Sequence, residues 1–106
     1  MSGSLYRIDK FSVPAAARDE FLVNVRRMER ILNGLDGCLG HRILEQVSGP
    51  GEFNVVTIAE WENENALAKA RDTMAEVQAA MNFDPKELIA RLGIRADIAN
   101  YAEVSG

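Results

Sequence analysis

Cysteine, histidine and tryptophan are almost absent from this sequence: each occurs once, as Cys38, His41 and Trp61. A single cysteine cannot form an internal disulfide, and one cysteine with one histidine cannot build a zinc site without carboxylates. No uncharged apolar run of about 18 residues occurs, which excludes a membrane-spanning helix. No charged segment followed by an apolar run opens the chain, so we expect a cytoplasmic protein with no metal and no membrane contact.

Basic residues are also fewer than acidic ones. Twelve Lys and Arg face sixteen Asp and Glu, which gives a net charge of -4 at pH 7. The basic cluster Arg26, Arg27 and Arg30 shares its segment with acidic residues such as Glu29, which is typical of a solvated helix face. Nucleic-acid binding needs clustered positive charge, and nucleotide binding needs a glycine-rich fingerprint. The sequence offers neither, and we expect no nucleic-acid partner.

The chain has the size and composition of one globular domain. It contains 106 residues, of which 47% are hydrophobic and 26% charged. These values fit a soluble core-forming protein and exclude a disordered one. We expect a single domain over residues 5–104, preceded by a flexible start at residues 1–4.

Hydrophobic periodicity and turn residues predict seven elements. Strands are predicted over 5–13, 39–47, 53–61 and 94–104, long helices over 15–33 and 63–81, and a short helix over 85–92. The turn at 48–51 (SGPG) makes the second and third strands a hairpin. The order β-α-β-β-α-(α)-β is that of the ferredoxin-like α+β fold, an antiparallel sheet with its helices on one face.

Both faces of the predicted sheet carry large apolar side chains. Strand alternation assigns these residues to one face: Phe11, Val13, Leu39, Ile43, Val47, Phe53, Val55, Ala59 and Trp61. It assigns these to the other: Tyr6, Ile8, Leu44, Val56 and Ile58. Because the helices cover only one face, the second apolar face indicates a partner surface, most simply that of a second copy in a two-fold homodimer. A bulge would exchange the faces within its strand.

The face that includes Phe11 and Trp61 also carries polar residues. Arg7 and Asp9 lie on strand one, His41 on strand two and Thr57 on strand three, and Asn100 joins them if the parity of strand four aligns. Polar groups that converge beneath helices indicate a cavity, since buried polar groups must be paired or hydrated. Two structural alternatives stay open: Arg7 and Asp9 pair with each other or reach solvent, and His41 is a satisfied, partly buried residue.

Cys38 and Trp61 are two further candidates for a functional role. Cys38 stands three residues before His41, a spacing that suggests a nucleophile and its base. Residues three apart on a regular strand face opposite sides of the sheet, so we expect no such pair. Trp61, at the junction of strand three and helix two, suits either the core or the wall of a pocket for an aromatic substrate.

Three segments resemble the antibiotic biosynthesis monooxygenase family of dimeric α+β barrel proteins. They are 36–40 (DGCLG) after the Phe-bearing first helix, the strand end 60–62 (EWE), and 64–67 (ENAL). The resemblance covers about residues 5–104. It implies a homodimer whose sheets pack into a barrel, with a pocket between sheet and helices in each subunit. Some members are cofactor-independent oxygenases of aromatic compounds, in which the deprotonated substrate itself supplies electrons to oxygen, and others process quinols or only bind ligands.

Other members of the family degrade heme with an Asn on strand one, a Trp ending strand three and a His on helix two. Trp61 matches that Trp, and Asp9 falls near the position of the Asn. Ala70 and Arg71 stand where the helix-two His is expected. We therefore expect no heme degradation and no cofactor.

The favoured hypothesis is a cofactor-independent monooxygenase acting on a small aromatic, phenolic or quinol-type substrate. Such chemistry needs a base, an apolar wall and donors that stabilise a developing oxyanion. The candidate base is His41 or Asp9. The candidate substrate-binding residues are Trp61, Phe11, Arg7, Thr57, Arg71 and Asn100. The alternative is a non-catalytic homodimer that binds a small ligand in the same pocket, and a purely structural protein would instead have a filled core.

Overall fold

The computed structural model describes residues 3–104 and contains one four-stranded antiparallel sheet in the order β2-β3-β1-β4. Its strands are β1 (Leu5–Ser12), β2 (Cys38–Glu45), β3 (Val55–Trp61) and β4 (Arg95–Ala102). Its helices are α1 (Arg18–Leu32), α2 (Glu64–Ala80) and α3 (Pro85–Arg91), and a 3-10 turn, Ala15–Ala17, precedes α1. The predicted ferredoxin-like α+β fold is confirmed. Of the predicted flexible start, residues 1 and 2 lie outside the described residues.

Side-chain caps fix where the second and third helices begin. Asn63 accepts a hydrogen bond from Ala66 N (2.9 Å) at the start of α2. Asp84 accepts one from Lys86 N (3.0 Å) at the start of α3, with Pro85 in the first turn. These residues satisfy amide groups that have no partner within the helix. None of the helices in the described part of the chain has the length and apolar character needed to span a bilayer.

Strand β3 shows most directly which face of the sheet the helices cover. Val55, Thr57, Ala59 and Trp61 are buried, and the residues between them are half-exposed. Burial at every second residue is expected of a strand that is covered on one face. The predicted assignment of these four residues to the helix-covered face is confirmed.

A bulge at the start of β2 corrects the predicted facing of two residues. Cys38 lies opposite Trp61, but Gly40 rather than Leu39 pairs with the next residue of β3. Leu39 is the extra residue, is 54% exposed and borders a depression on the open sheet face. The prediction that placed Leu39 under the helices is therefore wrong. The bulge also brings Cys38 and His41 to the same face, so the alternation argument against their pairing is wrong as well.

No hydrogen bond joins Cys38 to His41 within residues 3–104. Cys38 packs against the apolar cluster that contains Trp61, whereas the His41 ring is bonded to Glu29 of α1. The absence of a Cys–His pair thus has a different physical basis from the predicted one: both side chains have other partners.

Strand β2 also ends earlier than predicted. Its last residue is Glu45, and Val47 is 95% exposed in the turn rather than on the helix-covered face. The side chain of Gln46 donates hydrogen bonds to Gly49 O (3.2 Å) and Gly51 O (3.1 Å). These bonds close the turn on itself directly after the strand, which leaves Val47 outside the sheet.

The apolar core is split into two clusters. The larger lies beneath α1 and α3 and contains Phe11 and Phe21, whose rings meet edge to face with centroids 4.9 Å apart. The smaller lies beneath α2 and consists of Ala59, Trp61, Leu67 and Ala70. Asn54 anchors the edge of the larger cluster, since its amide both accepts from Val13 N (2.8 Å) and donates to Val13 O (2.9 Å).

Candidate functional site

A band of polar side chains crosses the helix-covered face between the two core clusters. Asp9 of β1 lies opposite Thr57 of β3, and His41 of β2 lies opposite Ala59 on the other side of β3. On β3, Thr57 lies between Val55 of the larger cluster and Ala59 of the smaller one, and on β1 Arg7 and Asp9 follow Phe11 of the larger cluster on the same face. Polar residues thus separate the two core clusters, at strand positions where a continuous core would have apolar side chains. We call this separation the gap in the core.

A cleft of about 550 Å³ opens over this band. Its floor is the sheet and its roof is α2, with one residue each from α1 and α3 at its edges. It is lined by Arg7, Asp9, Leu32, His41, Thr57, Ala59, Trp61, Leu67, Arg71, Met74, Ala75, Gln78 and Lys86. This volume lies in the range of small-molecule sites.

A smaller cavity of about 150 Å³ adjoins the cleft on the side of the larger cluster. Asp9, His41, Thr57 and Leu32 line both spaces. Its remaining wall is mainly apolar and includes Phe11 and Phe21. The polar band is thus the common boundary of two spaces, one half-open and one small and apolar.

His41 is held by a carboxylate on the opposite element. Its Nδ1 lies 3.1 Å from Glu29 Oε2, and the imidazole is only 6% exposed. An ionised carboxylate can only accept a hydrogen bond, so Nδ1 carries the proton that is donated to Glu29, and in the neutral imidazole Nε2 is the nitrogen with the free lone pair. A carboxylate that fixes the tautomer and stabilises the imidazolium is what a general base requires.

Asp9 is already paired with its neighbour on the same strand. Arg7 Nε donates to Asp9 Oδ1 at 2.7 Å, and both side chains are partly exposed. The pairing that the sequence left open is therefore present, and it occupies Asp9 with a cation. Of the two candidate bases, His41 is the one whose surroundings suit proton removal.

Trp61 forms part of the cleft wall and belongs to the smaller core cluster at the same time. Its side chain is 2% exposed, and its indole Nε1 is buried without a hydrogen-bond partner. A buried donor without a partner costs about 1–3 kcal/mol.

The remaining predicted residues divide between the cleft and its surroundings. Thr57 and Arg71 line the cleft. Phe11 is buried in the larger cluster and borders only the smaller cavity. Asn100 lies opposite Arg7 in the β1–β4 ladder, so it faces the same side of the sheet as Arg7, as predicted. It is nevertheless exposed and lies in a separate groove beside Arg71. That groove lies between β4 and α2, and Asn100 does not line the cleft over the polar band.

Glu29 is the site residue that the sequence interpretation missed. The charge pattern of its segment predicts that Glu29 lies on a solvated helix face. Glu29 instead lies four residues after Val25, on the side of α1 that faces the sheet. Because residues four apart share one face of a helix, the spacing from Val25 is the sequence feature that indicates an inward-facing position for Glu29. A charged residue aligned with an apolar stripe points to a polar partner beneath the helix.

Solved structures with the same fold include oxygenases. A candidate monooxygenase from Shewanella loihica PV-4 is 17% identical, with a TM-score of 0.74, and the match covers 100% of this chain and 99% of that one. SnoaB, a cofactor-independent oxygenase from Streptomyces nogalater, is 16% identical, with a TM-score of 0.72 and coverage of 99% and 97%. The heme-degrader MhuD from Mycobacterium tuberculosis, solved with two hemes in its active site, is 19% identical, with a TM-score of 0.72 and coverage of 96% and 97%. Among proteins with curated functions, none matches this chain.

The residues of the cleft do not fit heme or a metal ion. Helix α2 carries no histidine, and Arg71 projects into the cleft from it. His41 lies on the sheet, is nearly buried and has Nδ1 bonded to Glu29. Within residues 3–104 no group of three His, Cys, Asp or Glu side chains is placed to hold a metal.

Sequence comparison with protein families agrees with the fold. The model of a family described as antibiotic biosynthesis monooxygenase matches residues 4–82, which is well over half of the chain. The matched part runs from β1 through α2 and includes the whole floor of the cleft. The chain belongs to the antibiotic biosynthesis monooxygenase family.

Proposed function

We propose that this protein is a cofactor-independent monooxygenase that oxidises a small phenolic or quinol-type aromatic compound in the cleft between the sheet and α2. The observation that carries the proposal is the His41–Glu29 pair in the gap of the core. A nearly buried imidazole with a carboxylate on Nδ1, facing a cleft with an apolar wall, suits removal of a proton from a phenol. Membership in the family and the shared fold with an oxygenase support it.

The reaction needs no external reductant when the substrate is a phenol with an open ring position. His41 Nε2 takes the hydroxyl proton, and the electron-rich phenolate carbon reacts with O₂. One oxygen atom enters the ring as the new carbonyl of a quinone. The other leaves as water with the two hydrogens that the ring and the hydroxyl lose, so the substrate supplies all the electrons.

The protein's contribution is to hold the phenolate where it forms. Glu29 stabilises the imidazolium, and the indole N–H of Trp61 is a donor without a partner for a developing oxyanion. Leu32, Leu67 and Met74 supply apolar contacts for the ring. In such a half-enclosed site these interactions are stronger than in water.

Oxygen uptake by the purified protein with 1-naphthol tests the proposal. We expect consumption above the autoxidation rate of the naphthol, without added metal or flavin, and one naphthoquinone formed for each O₂ consumed. Hydrogen peroxide as the main product would indicate an oxidase. The absence of uptake across naphthols, anthrones and hydroquinones, with tight binding retained, would instead establish a non-catalytic ligand-binding protein.

We also propose that the open sheet face pairs with a second copy of the chain. Ile8, Val56 and Ile58 form its centre on adjacent strands, and Leu39 and Leu44 are about half exposed beside them. An apolar surface of this kind is costly in a monomer and suits a two-fold interface.

The Ile8→Glu variant, whose new carboxylate lies between Ile58 and Ala99 on the neighbouring strands, is expected to be a monomer at concentrations at which the wild type is a dimer. A carboxylate buried without a partner at the centre of an interface costs several kcal/mol, enough to weaken dimerisation roughly 100-fold or more. Sedimentation equilibrium at micromolar concentration measures this. Val47→Glu is the matched control, because Val47 is 95% exposed in the turn and lies off the sheet face. A monomeric wild type would overturn the proposal.

A further inference from the structure

The charges that line the cleft do not cancel. Arg7 is neutralised by Asp9 and His41 is bonded to Glu29, but the cleft also contains Arg71. Lys86 is a second additional cation there. In the part of the chain that the structure describes, neither Arg71 nor Lys86 forms an ion pair with a carboxylate.

Helix geometry places Arg71 on the cleft side of α2 and not among its solvent-facing charges. Leu67, Arg71, Met74 and Gln78 all line the cleft and are separated by four, three and four residues. This spacing is that of a single helix face. Lys69 lies on the same helix but is exposed and does not line the cleft, so not every cation of α2 faces the cleft.

Lys86 reaches the same cleft from a different element. It is the second residue of α3, whose start is fixed by the hydrogen bond from Lys86 N to Asp84 Oδ1. Both cationic side chains are exposed residues on the helix side of the cleft, opposite the sheet that carries His41. A chain with a net charge of -4 thus presents at one half-enclosed cleft two cations that have no ion-pair partner within residues 3–104.

We infer that Arg71 and Lys86 form an anion subsite, and that the substrate is a phenolic aromatic compound that carries a carboxylate on the side of the ring away from its reactive hydroxyl. This inference rests on the proposed function, since it places the hydroxyl at His41. The apolar wall holds the ring between the two polar ends. A positively charged cleft with low-dielectric walls also concentrates anions from solution. The carboxylate is not changed in the reaction and serves for binding and orientation.

Calorimetric titration with a matched pair of ligands tests the subsite. The ligands are 2-naphthol and 6-hydroxy-2-naphthoate, which share the ring and the hydroxyl and differ by one carboxylate. We expect the wild type to bind the carboxylate compound about tenfold more tightly, a preference that shrinks as sodium chloride is raised. In the double variant Arg71→Gln/Lys86→Gln the ratio of the two Kd values should fall to about one.

The control is the double variant Arg26→Gln/Lys69→Gln, which removes the same charge from exposed positions that do not line the cleft. It should retain the wild-type preference. Equal binding of both naphthols by the wild type, or an unchanged preference in Arg71→Gln/Lys86→Gln, would overturn the subsite. If 2-naphthol is still bound and oxidised in that case, only the subsite fails. If neither compound is bound or oxidised, the proposed function fails with it.

Discussion

Replacing His41 with Gln is expected to lower kcat for naphthol oxidation by about 10²–10⁴-fold, the usual contribution of a general base. Gln keeps a polar side chain of similar reach that can still bond to Glu29, but it cannot accept the phenol proton at neutral pH. Binding of the naphthol, followed by calorimetry, should change little. The measurement is the initial rate of oxygen uptake together with the ligand Kd for the same preparation.

Two companion variants distinguish a base from a merely structural histidine. Glu29→Gln removes the charge that stabilises the imidazolium and should lower kcat less than His41→Gln does. Asp9→Asn should leave a larger share of the activity, because the Asp9 carboxylate is already paired with Arg7. Full activity in a His41 variant would exclude His41 as the base, and a larger loss in Asp9→Asn than in His41→Gln would assign that role to Asp9.

The order of the elements could be predicted because each break in periodicity coincides with a residue that stops a helix or strand. Asn63 and Asp84 cap the two later helices, and the turn around Gly49 separates β2 from β3. These effects are local and are therefore encoded by neighbouring residues. The alternation of β3 is equally local, and it correctly placed Thr57 and Trp61 on the covered face.

The position of the site depended on features that periodicity does not contain. One inserted residue at Leu39 changes whether Cys38 or Leu39 faces the helices, and Gly40 beside it is the only residue type that hints at a bulge. Asn100 has the predicted parity and still misses the cleft, because the placement of helices over the sheet decides which positions are covered. Glu29 was missed for a related reason: its role follows from the residue that packs beneath it on another element.

Gly37 holds the Trp61 end of the cleft in place, and its replacement by Ala is expected to lower the free energy of unfolding by about 2–4 kcal/mol. Its φ of +82° is in the left-handed region. A Cβ at this position would lie only 2.4 Å from the Cβ of Ala66 on α2. Glu62 N donates to Gly37 O at 2.9 Å directly after Trp61, so a shift at Gly37 is transmitted to the wall of the site.

Urea unfolding of a small set of variants separates the two contributions. Gly49→Ala is the matched control, since Gly49 has a φ of +96° with nothing within 4 Å of an added Cβ, and it should show the backbone cost alone, about 1–2 kcal/mol. Ala66→Gly removes the methyl group that the new Cβ would meet, so the cost of Gly37→Ala should shrink toward the Gly49→Ala value in that background. Such coupling is expected only of residues in direct contact. If Gly37→Ala costs no more than Gly49→Ala, close packing of α2 on this turn does not stabilise the Trp61 end of the cleft, and the turn serves only to reverse the chain.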